Sequence, residues 1–196
     1  MAITRIGPNQ SINLASNITG TLPTGNGGTG ATSFAPGKVL QVVSTTKTDT
    51  YSETISARGT GSNITGLTAT ITPTSASSKL LVYATLNTSR AGGYGYANFI
   101  IHRDGSSVLV GDSAGSRLPV TVGDNIGVTN SVAMFNTFSF GQVDASSTSS
   151  TTFSLRLENS GSSENKTFYV NRSATDTDAN GFTRAISSIM VMEVSA

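Results

Sequence analysis

Three glycines near the amino terminus have the spacing that binds dinucleotides in many enzymes. Gly25, Gly27 and Gly30 form G-x-G-x-x-G within the stretch LPTGNGGTGATSF. In a nucleotide-binding domain a buried strand precedes the first glycine, and a helix begins at the last one and holds the pyrophosphate at its N-terminus. Here Pro23 precedes the motif and Pro36 follows within six residues of Gly30, so there is no room for that helix. We therefore predict a linker turn, in which glycine lets the backbone bend sharply; its residues are Gly25, Gly27, Gly28 and Gly30.

A second candidate for chemistry is an acidic stretch near the carboxyl terminus. Asp176, Asp178 and Asn180 alternate before Gly181, which matches the first half of a calcium-binding loop. The twelfth position, where such a loop needs a bidentate glutamate, is Ser187, and no helical pattern flanks the stretch. We predict a polar turn before the last strand and no metal site. The alternative is a loop cation site made by the same three side chains.

Hydrolytic chemistry would have to use His102, because it is the only histidine. A Ser-His-Asp triad with Asp104 is compatible with the abundance of serine, but no G-x-S-x-G sequence marks a nucleophile. The chain has no cysteine, which excludes a thiolate metal centre and a cysteine nucleophile. The acidic residues stand singly in or beside predicted turns and strands. We therefore predict a protein that is not an enzyme and that needs no cofactor.

The overall composition limits the other classes of function. The 12 lysines and arginines are scattered along 196 residues and the formal net charge is +1, which argues against nucleic-acid binding through a basic patch. No run approaches the roughly 20 apolar residues of a membrane-spanning helix, and the start of the chain lacks the pattern of a cleaved secretory signal. Ser and Thr together number 58, and β-branched and aromatic residues recur throughout. This composition predicts a folded all-β protein.

Residues 1–37 are predicted to form an extended arm. Their aliphatic residues are isolated, are separated by Pro8, Pro23 and a glycine cluster, and follow no strand or helix period. Such a segment cannot close a core alone, but its side chains can dock one at a time into grooves on another chain. The predicted anchoring residues are Ile3, Ile6, Ile12, Leu14, Ile18 and Leu22. The alternative is an unanchored leader.

Residues 38–196 are predicted to form a β-sandwich of jelly-roll type. Thr152–Glu158 alternates as a half-buried strand, and Lys79–Leu86 is apolar on both faces, which predicts a strand covered on both sides. Ile186–Val194 alternates as an inner strand. Asp104-Gly105 lies between two apolar runs and predicts a hairpin with a type I′ turn. Eight or so short strands without a helical spacer favour two antiparallel sheets.

One glycine-rich segment of this domain is a candidate contact surface. Tyr94 and Tyr96 lie in the stretch AGGYGYA, where amphipathic rings on a glycine backbone can contact sugars or proteins. The alternative of equal weight is that both rings pack back onto the sheet.

Two regions carry a resemblance to a known class of proteins. GTLPTGNGGTGAT, residues 20–32, resembles the G-T-L-P-x-x-N-G-G-T-G-A-T segment that recurs in bacteriophage tail-fibre and related virion surface proteins, with Thr24-Gly25 where Val-Ala is more familiar. The segments GLTATITPTSASSK, residues 66–79, and VGDSAGSR, residues 110–117, are more loosely similar to C-terminal modules of marine phage structural proteins.

The resemblance implies a non-enzymatic homotrimer in the virion, attached by its arm to other virion proteins. Its β-domain would point outward to contact a host glycan or protein. Tail fibres usually have a long shaft, whereas here the arm leads almost directly into one domain. A short tail fibre therefore competes with a capsid decoration or cement protein, or a head fibre, whose arm would clamp coat subunits.

Overall fold

The computed structural model describes residues 38–90, 95–126, 134–159, 161 and 165–196. The chain divides into two units, residues 1–37 and residues 38–196, and the second unit contains all the strands of the described residues. The described residues contain no helix. The strands are β1 (Val39–Lys47), β2 (Tyr51–Ile55), β3 (Asn63–Ile71), β4 (Lys79–Arg90), β5 (Gly95–Arg103), β6 (Ser106–Val108), β7 (Val122–Ile126), β8 (Phe135–Asp144), β9 (Thr151–Asn159), β10 (Lys166–Val170) and β11 (Ser187–Val194).

Six of these segments act as three interrupted strands. In the first sheet β11 and β10 follow one another along the same side of β4, and β1 and β2 follow one another along β11 and β10. In the second sheet β6 and β7 follow one another along β5. The composite strands are therefore β1/β2, β6/β7 and β10/β11, and all pairings are antiparallel.

The strand order is that of a jelly roll. The first sheet runs β1/β2, β10/β11, β4, β8, and the second runs β3, β9, β5, β6/β7. With each composite strand counted as one, the sandwich has eight strands. Numbered along the chain, they have the order 1-8-3-6 in the first sheet and 2-7-4-5 in the second, which is the arrangement of two interlocked Greek keys. The predicted antiparallel sandwich is thus confirmed, and so is the inner position of the last strand.

The core lies between the two sheets, and period-two alternation fills it. Leu80, Val82 and Ile189 of the first sheet face Phe153 and Leu155 of the second, and all five are fully buried. Burying a side chain of this size contributes about 1.5–3 kcal/mol, so the alternation seen in the sequence accounts for the sandwich. The register of β3 is irregular, with a bulge at Gly66, where φ is +84°. The bulge keeps the apolar side chains of β3 on the core side.

Two predictions about strand faces need correction. Thr152–Glu158 is not half-buried, because Ser154 and Glu158 on its polar side are only 5% and 8% exposed. Ser154 pairs with His102 of β5, so a polar row lies across these two strands. Lys79–Leu86, predicted to be covered on both sides, packs into the core on one side only. On its other side Leu81 remains partly exposed.

The two ends of the sandwich differ in which connections they carry. One end, here termed the base, holds both termini of the domain, since Ser195 N donates to the Lys38 carbonyl at 2.8 Å. The connections 72–78, 104–105 and 145–150 also lie at the base. The opposite end, the tip, holds the turn 56–62 and the strand ends Arg90, Ile126 and Asn159.

A buried asparagine lies where the insert 171–186 leaves composite strand β10/β11. Asn171 has a φ of +62° and is completely buried. Its Nδ2 donates to the carbonyls of Lys47 and Asp49 at 2.9 and 3.0 Å, and its Oδ1 accepts from the Ser187 hydroxyl at 2.6 Å. Asparagine tolerates the left-handed conformation, so one residue both turns the chain and joins the breaks in two neighbouring strands.

Candidate interaction surfaces

Most of the residues predicted to contact partners lie outside the described part of the chain. These are the six aliphatic residues of the arm, the four linker glycines and Tyr94. Tyr96 lies in β5, where its backbone pairs with Asn125 near the tip. The arm, linker and tyrosine assignments therefore stay predictions.

The base is held together by hydrogen bonds around the predicted hairpin. Asp104 and Gly105 have φ values of +50° and +85°, which confirms the positive-φ turn. The Asp104 carboxylate accepts hydrogen bonds from the Thr151 hydroxyl at 2.6 Å and the Thr152 amide at 2.8 Å, and these two bonds lower its pKa. Arg103 donates to the Ala145 carbonyl at 2.6 Å. The connections 104–105 and 145–150 are thus tied to one another.

Glu193 forms a second set of bonds at the base. It is completely buried on the core side of β11. Its carboxylate accepts hydrogen bonds from the Gln41 side chain at 2.6 Å and from the amide and hydroxyl of Thr74, both at 2.8 Å. Burial opposes ionisation, but the hydrogen bonds outweigh it and lower the pKa of Glu193 to about 2. One charged carboxylate therefore joins the first strand, the 72–78 turn and the last strand.

The acidic stretch lies in the insert 171–186 and takes part in ion pairs. Asp176 Oδ2 is 3.1 Å from Arg172 Nη1 and 2.8 Å from Arg184 Nη2. Arg172 also stacks over the Tyr169 ring at 4.2 Å. Asp178 and Asn180 are exposed beside a depression of about 260 Å³ lined by Asp176, Asp178 and Phe182 among others. The Asp176 carboxylate is thus paired with two guanidinium groups and is not open to a metal cation.

Ser187, at the twelfth position of the loop, is fully buried in β11 and bonded to Asn171, so it does not serve as the closing ligand of a calcium loop. Across residues 38–90, 95–126, 134–159 and 165–196, no group of three or more His, Cys, Asp or Glu is placed to hold a metal ion. The arrangement is that of a polar turn before the last strand.

The structure does not bring together the residues of the candidate triad. His102 is buried in β5, and its Nε2 lies 3.2 Å from the Ser107 hydroxyl. The Asp104 carboxylate bonds to Thr151 instead. Burial, and then the positive charge of Arg156, lower the pKa of His102. A catalytic histidine of a triad needs a carboxylate partner that stabilises its charged form, whereas the neighbour here is a cation.

One side of the first sheet exposes large apolar side chains. We use the term outer face for the side of the first sheet that points away from the core. Of the exposed large apolar residues, Phe138 and Phe140 lie on β8 and are 60% and 54% exposed, and Val39 and Val42 lie on β1. The Phe140 ring stacks on Tyr83 with centroids 4.6 Å apart. All four strands of the first sheet, with each composite strand counted as one, contribute side chains to this surface: Val42, Leu81, Tyr83, Phe138, Phe140, Met190 and Met192.

Sequence reasoning did not identify Glu193 or the outer face as functional features. A single glutamate in an alternating strand carries no signal of burial. The outer face did leave a trace, because Lys79–Leu86 is apolar on both faces and Phe138 and Phe140 fall on one side of β8.

No helix of the described residues is both long and apolar enough to cross a membrane.

Comparison with known proteins gives a likeness of fold only. No protein-family profile matches the chain, and no curated protein matches it significantly. One similar solved structure is that of infectious bursal disease virus, Gt strain, at 16% identity and a TM-score of 0.38 over 80% of this chain and 38% of that one. Another is that of the Gx strain, at 14% identity and a TM-score of 0.36 over 79% of this chain and 42% of that one. The chain thus spans about two fifths of the length of these neighbours.

Proposed function

We propose that this chain is a non-enzymatic structural protein of a bacteriophage virion. In this proposal it is a short trimeric tail fibre, anchored through residues 1–37, with its β-domain pointing outward for host attachment. The first support is the segment at residues 20–32, which resembles a glycine-rich segment of virion surface proteins. In such a role the arm supplies attachment, and the jelly roll supplies a compact module without catalytic groups.

The observation that carries the proposal is the polarity of the jelly roll. The chain enters the domain at Lys38, at the base, while the strand ends Arg90, Ile126 and Asn159 lie at the tip. An arm held on a particle would therefore present the tip connections outward. Surface loops on a rigid sandwich are where binding residues commonly lie, and Tyr96 is at this end.

The state of the polar groups also supports a structural role. The candidate acids at the base and in the insert are engaged in bonds that hold connections in place: Asp104 with Thr151, Glu193 with Thr74, and Asp176 with Arg172. A catalytic carboxylate needs an open site beside it for substrate. These groups lower the free energy of the fold instead.

One observation favours the second candidate, a capsid decoration or cement protein or a head fibre. The first strand begins at Val39, immediately after the predicted arm, so the sequence leaves no room for shaft repeats between the arm and the domain. An arm of this kind can also lie across coat subunits. The two candidates share the arm and the outward domain, and they differ in where the arm binds.

Deletion of residues 2–34 tests the arm. A phage that lacks its own copy is supplied either with the full chain or with the truncated chain, and purified particles are probed for the protein. We expect the truncated chain to be soluble and folded by circular dichroism but absent from particles. Incorporation of the truncated chain at the level of the full chain would overturn the anchoring proposal.

Copy number separates the two candidates. Quantitative gel densitometry of purified particles should give a few trimers for a tail fibre and hundreds of chains for a decoration protein. Removal should lower capsid stability only in the second case. Turnover of host glycan by the purified chain would contradict both.

A further inference from the structure

We propose that the outer face of the first sheet is the contact surface between copies of this chain. Its apolar side chains lie in register across the sheet. In one row Met190 pairs with Tyr83, which pairs with Phe140, and in the next row Val42, Met192 and Leu81 follow one another, with the polar Gln142 at the end of the row. A continuous apolar surface of this kind on a soluble domain marks an association site.

The face has the layout of a protein interface. The rows between its two ends contain no charged side chain. At the base it is bordered by the Lys79–Asp144 ion pair, and at the tip by the hydrogen bond from Asn136 to Asn87 at 3.1 Å. An apolar centre depleted of charge inside a polar rim is the anatomy of stable interfaces.

The size of the face is sufficient for self-association. Neighbouring strands lie about 4.8 Å apart and same-face residues about 7 Å apart, so the two apolar rows over the four strands of the first sheet cover about 270 Å² in projection. The next row, in which Phe138 lies beside Thr85 and Ser188, brings this to about 400 Å². A standard interface buries about 800 Å² on each partner, including its polar rim. The apolar rows can therefore form the centre of such an interface, and the flanking polar residues can form the rest.

The two halves of the face complement one another, which identifies a second copy as the occupant. The half on β8 and β4 presents the rings of Tyr83, Phe138 and Phe140 and is termed the aromatic half. The half on β11 and β1 presents Met190, Met192 and Val42 and is termed the methionine half. Thioether sulfurs pack favourably against aromatic rings and adapt to their shape. A single chain carries both halves, so copies of the chain are sufficient partners.

The same asymmetry limits how the copies are arranged. If the aromatic half of one copy packs on the methionine half of the next, and the aromatic half of that copy packs on a third, the contact is head-to-tail and forms a ring where the rotation between copies closes. Two copies that exchange both halves about a two-fold axis would form a dimer instead. That the copies form a ring of three rests on the proposed fibre function, whereas the contact surface itself does not.

Sedimentation equilibrium of the full chain tests the surface. We expect a mass three times the 20.1 kDa chain. Phe138→Asp together with Phe140→Asp should raise the dissociation constant by roughly a hundredfold or more and leave the far-UV circular dichroism unchanged. Phe138→Ser with Phe140→Ser is the milder pair if the aspartates disturb folding. Thr70→Asp, at an exposed position on the second sheet, is the matched control and should leave the mass unchanged.

Mixing two damaged chains tests the contact between the aromatic half and the methionine half. The Phe138→Asp/Phe140→Asp chain keeps an intact methionine half, and a Met190→Thr/Met192→Thr chain keeps an intact aromatic half. Neither should associate alone. Their mixture should form a pair of twice the chain mass, because one intact contact remains. A mixture that stays monomeric would overturn this contact, and a full chain that sediments at twice the chain mass would overturn the ring of three.

Two results would overturn the surface itself. One is a full chain that sediments as a monomer, as expected if its own residues 1–37 cover the face. The other is an oligomer whose mass is unchanged by both sets of substitutions. Neither result depends on particle incorporation, so the interface can fail while the virion proposal stands, and the reverse.

Discussion

Substitution of Glu193 by glutamine removes the charge that joins three segments at the base. Glutamine has nearly the same shape, so the change replaces the carboxylate and leaves the packing in place. The Glu193 carboxylate accepts bonds from the Gln41 side chain and from the amide and hydroxyl of Thr74. In the variant an amide NH₂ group takes the place of one acceptor oxygen and faces donors. We therefore expect a less stable but correctly folded protein.

The magnitude follows from the pKa of this group. Its value falls from 4.5 to about 2 on folding, because the hydrogen bonds outweigh the cost of burial. Each pKa unit corresponds to about 1.4 kcal/mol, so the folded state favours the charged form by about 3 kcal/mol. Since the folded pKa is the lower one, this stability is present above about pH 4.5 and is lost as the pH falls toward 2.

The assay is urea unfolding of both proteins between about pH 7 and about pH 2, at one fixed protein concentration because association affects stability. At neutral pH the variant should unfold with about 2–3 kcal/mol less free energy. This difference should shrink as the pH falls below about 4.5. Glu53→Gln is the matched control, because the Glu53 carboxylate accepts one side-chain bond, from Tyr51 at 3.1 Å. It should cost under about 1 kcal/mol at neutral pH.

A difference between Glu193→Gln and the parent that stays constant from neutral to acidic pH would refute this reasoning. It would mean that the exchange of an acceptor oxygen for an NH₂ group, and not the charge of Glu193, accounts for the lost stability. Other carboxylates titrate in both proteins, so the difference between the two curves isolates the Glu193 contribution.

Two further substitutions, each with a control, test the breaks and the packing of the first sheet. Asn171→Ala should lower the free energy of unfolding by about 3–5 kcal/mol, because it leaves the Lys47 carbonyl without its donor and places alanine at positive φ. Asn171→Gly should recover about 1 kcal/mol of that loss in urea unfolding, and an equal cost for both variants would contradict the contribution of the backbone. Gly141→Ala should lower the free energy of unfolding by about 1–3 kcal/mol, because the new Cβ would lie 2.6 Å from a Leu109 methyl group. Gly111→Ala is its control, because a Cβ there would have no atom within 4 Å, and it should leave the melting temperature nearly unchanged.

The sequence was sufficient to predict the sandwich because its signals are local. The alternation of Ile189 and Val191 with Met190 and Met192 is a direct record of a strand with two faces. The Asp104 turn was equally readable, because few residues accept positive φ at low cost. Composition then excluded the other fold classes.

The composite strands could not be read in the same way. A break such as the one at Asn171 depends on backbone carbonyls supplied by Lys47 and Asp49, more than 120 residues away. The predicted number of strands, eight or so, agrees with the structure when each composite strand is counted as one. The reason is that the chain resumes the same strand pairing after each break. Where the insert begins depends on contacts that no local pattern records.

Burial of polar groups was the least predictable part of the candidate surfaces. Three buried polar residues show no sign of burial in the sequence. Ser154 and Glu158 lie on the polar side of an alternating strand, and the position of Glu193 carries no periodic signal. At Leu81 and Tyr83 an apolar face predicted coverage that the described chain does not itself supply, and that the proposed contact between copies would supply. Hydrophobic periodicity reports which side chains differ from their neighbours, and it does not report what lies above each face.

Location of the domain on imaged particles tests the central claim most directly. One label is attached at Ala196, at the base, and another is inserted in the turn at residues 56–58, at the tip. Electron cryo-microscopy should then place the tip label farther from the particle surface by about 40 Å, the length of β4 at about 3.3 Å per residue. A base label that lies outermost, or particles that carry neither label, would contradict the account.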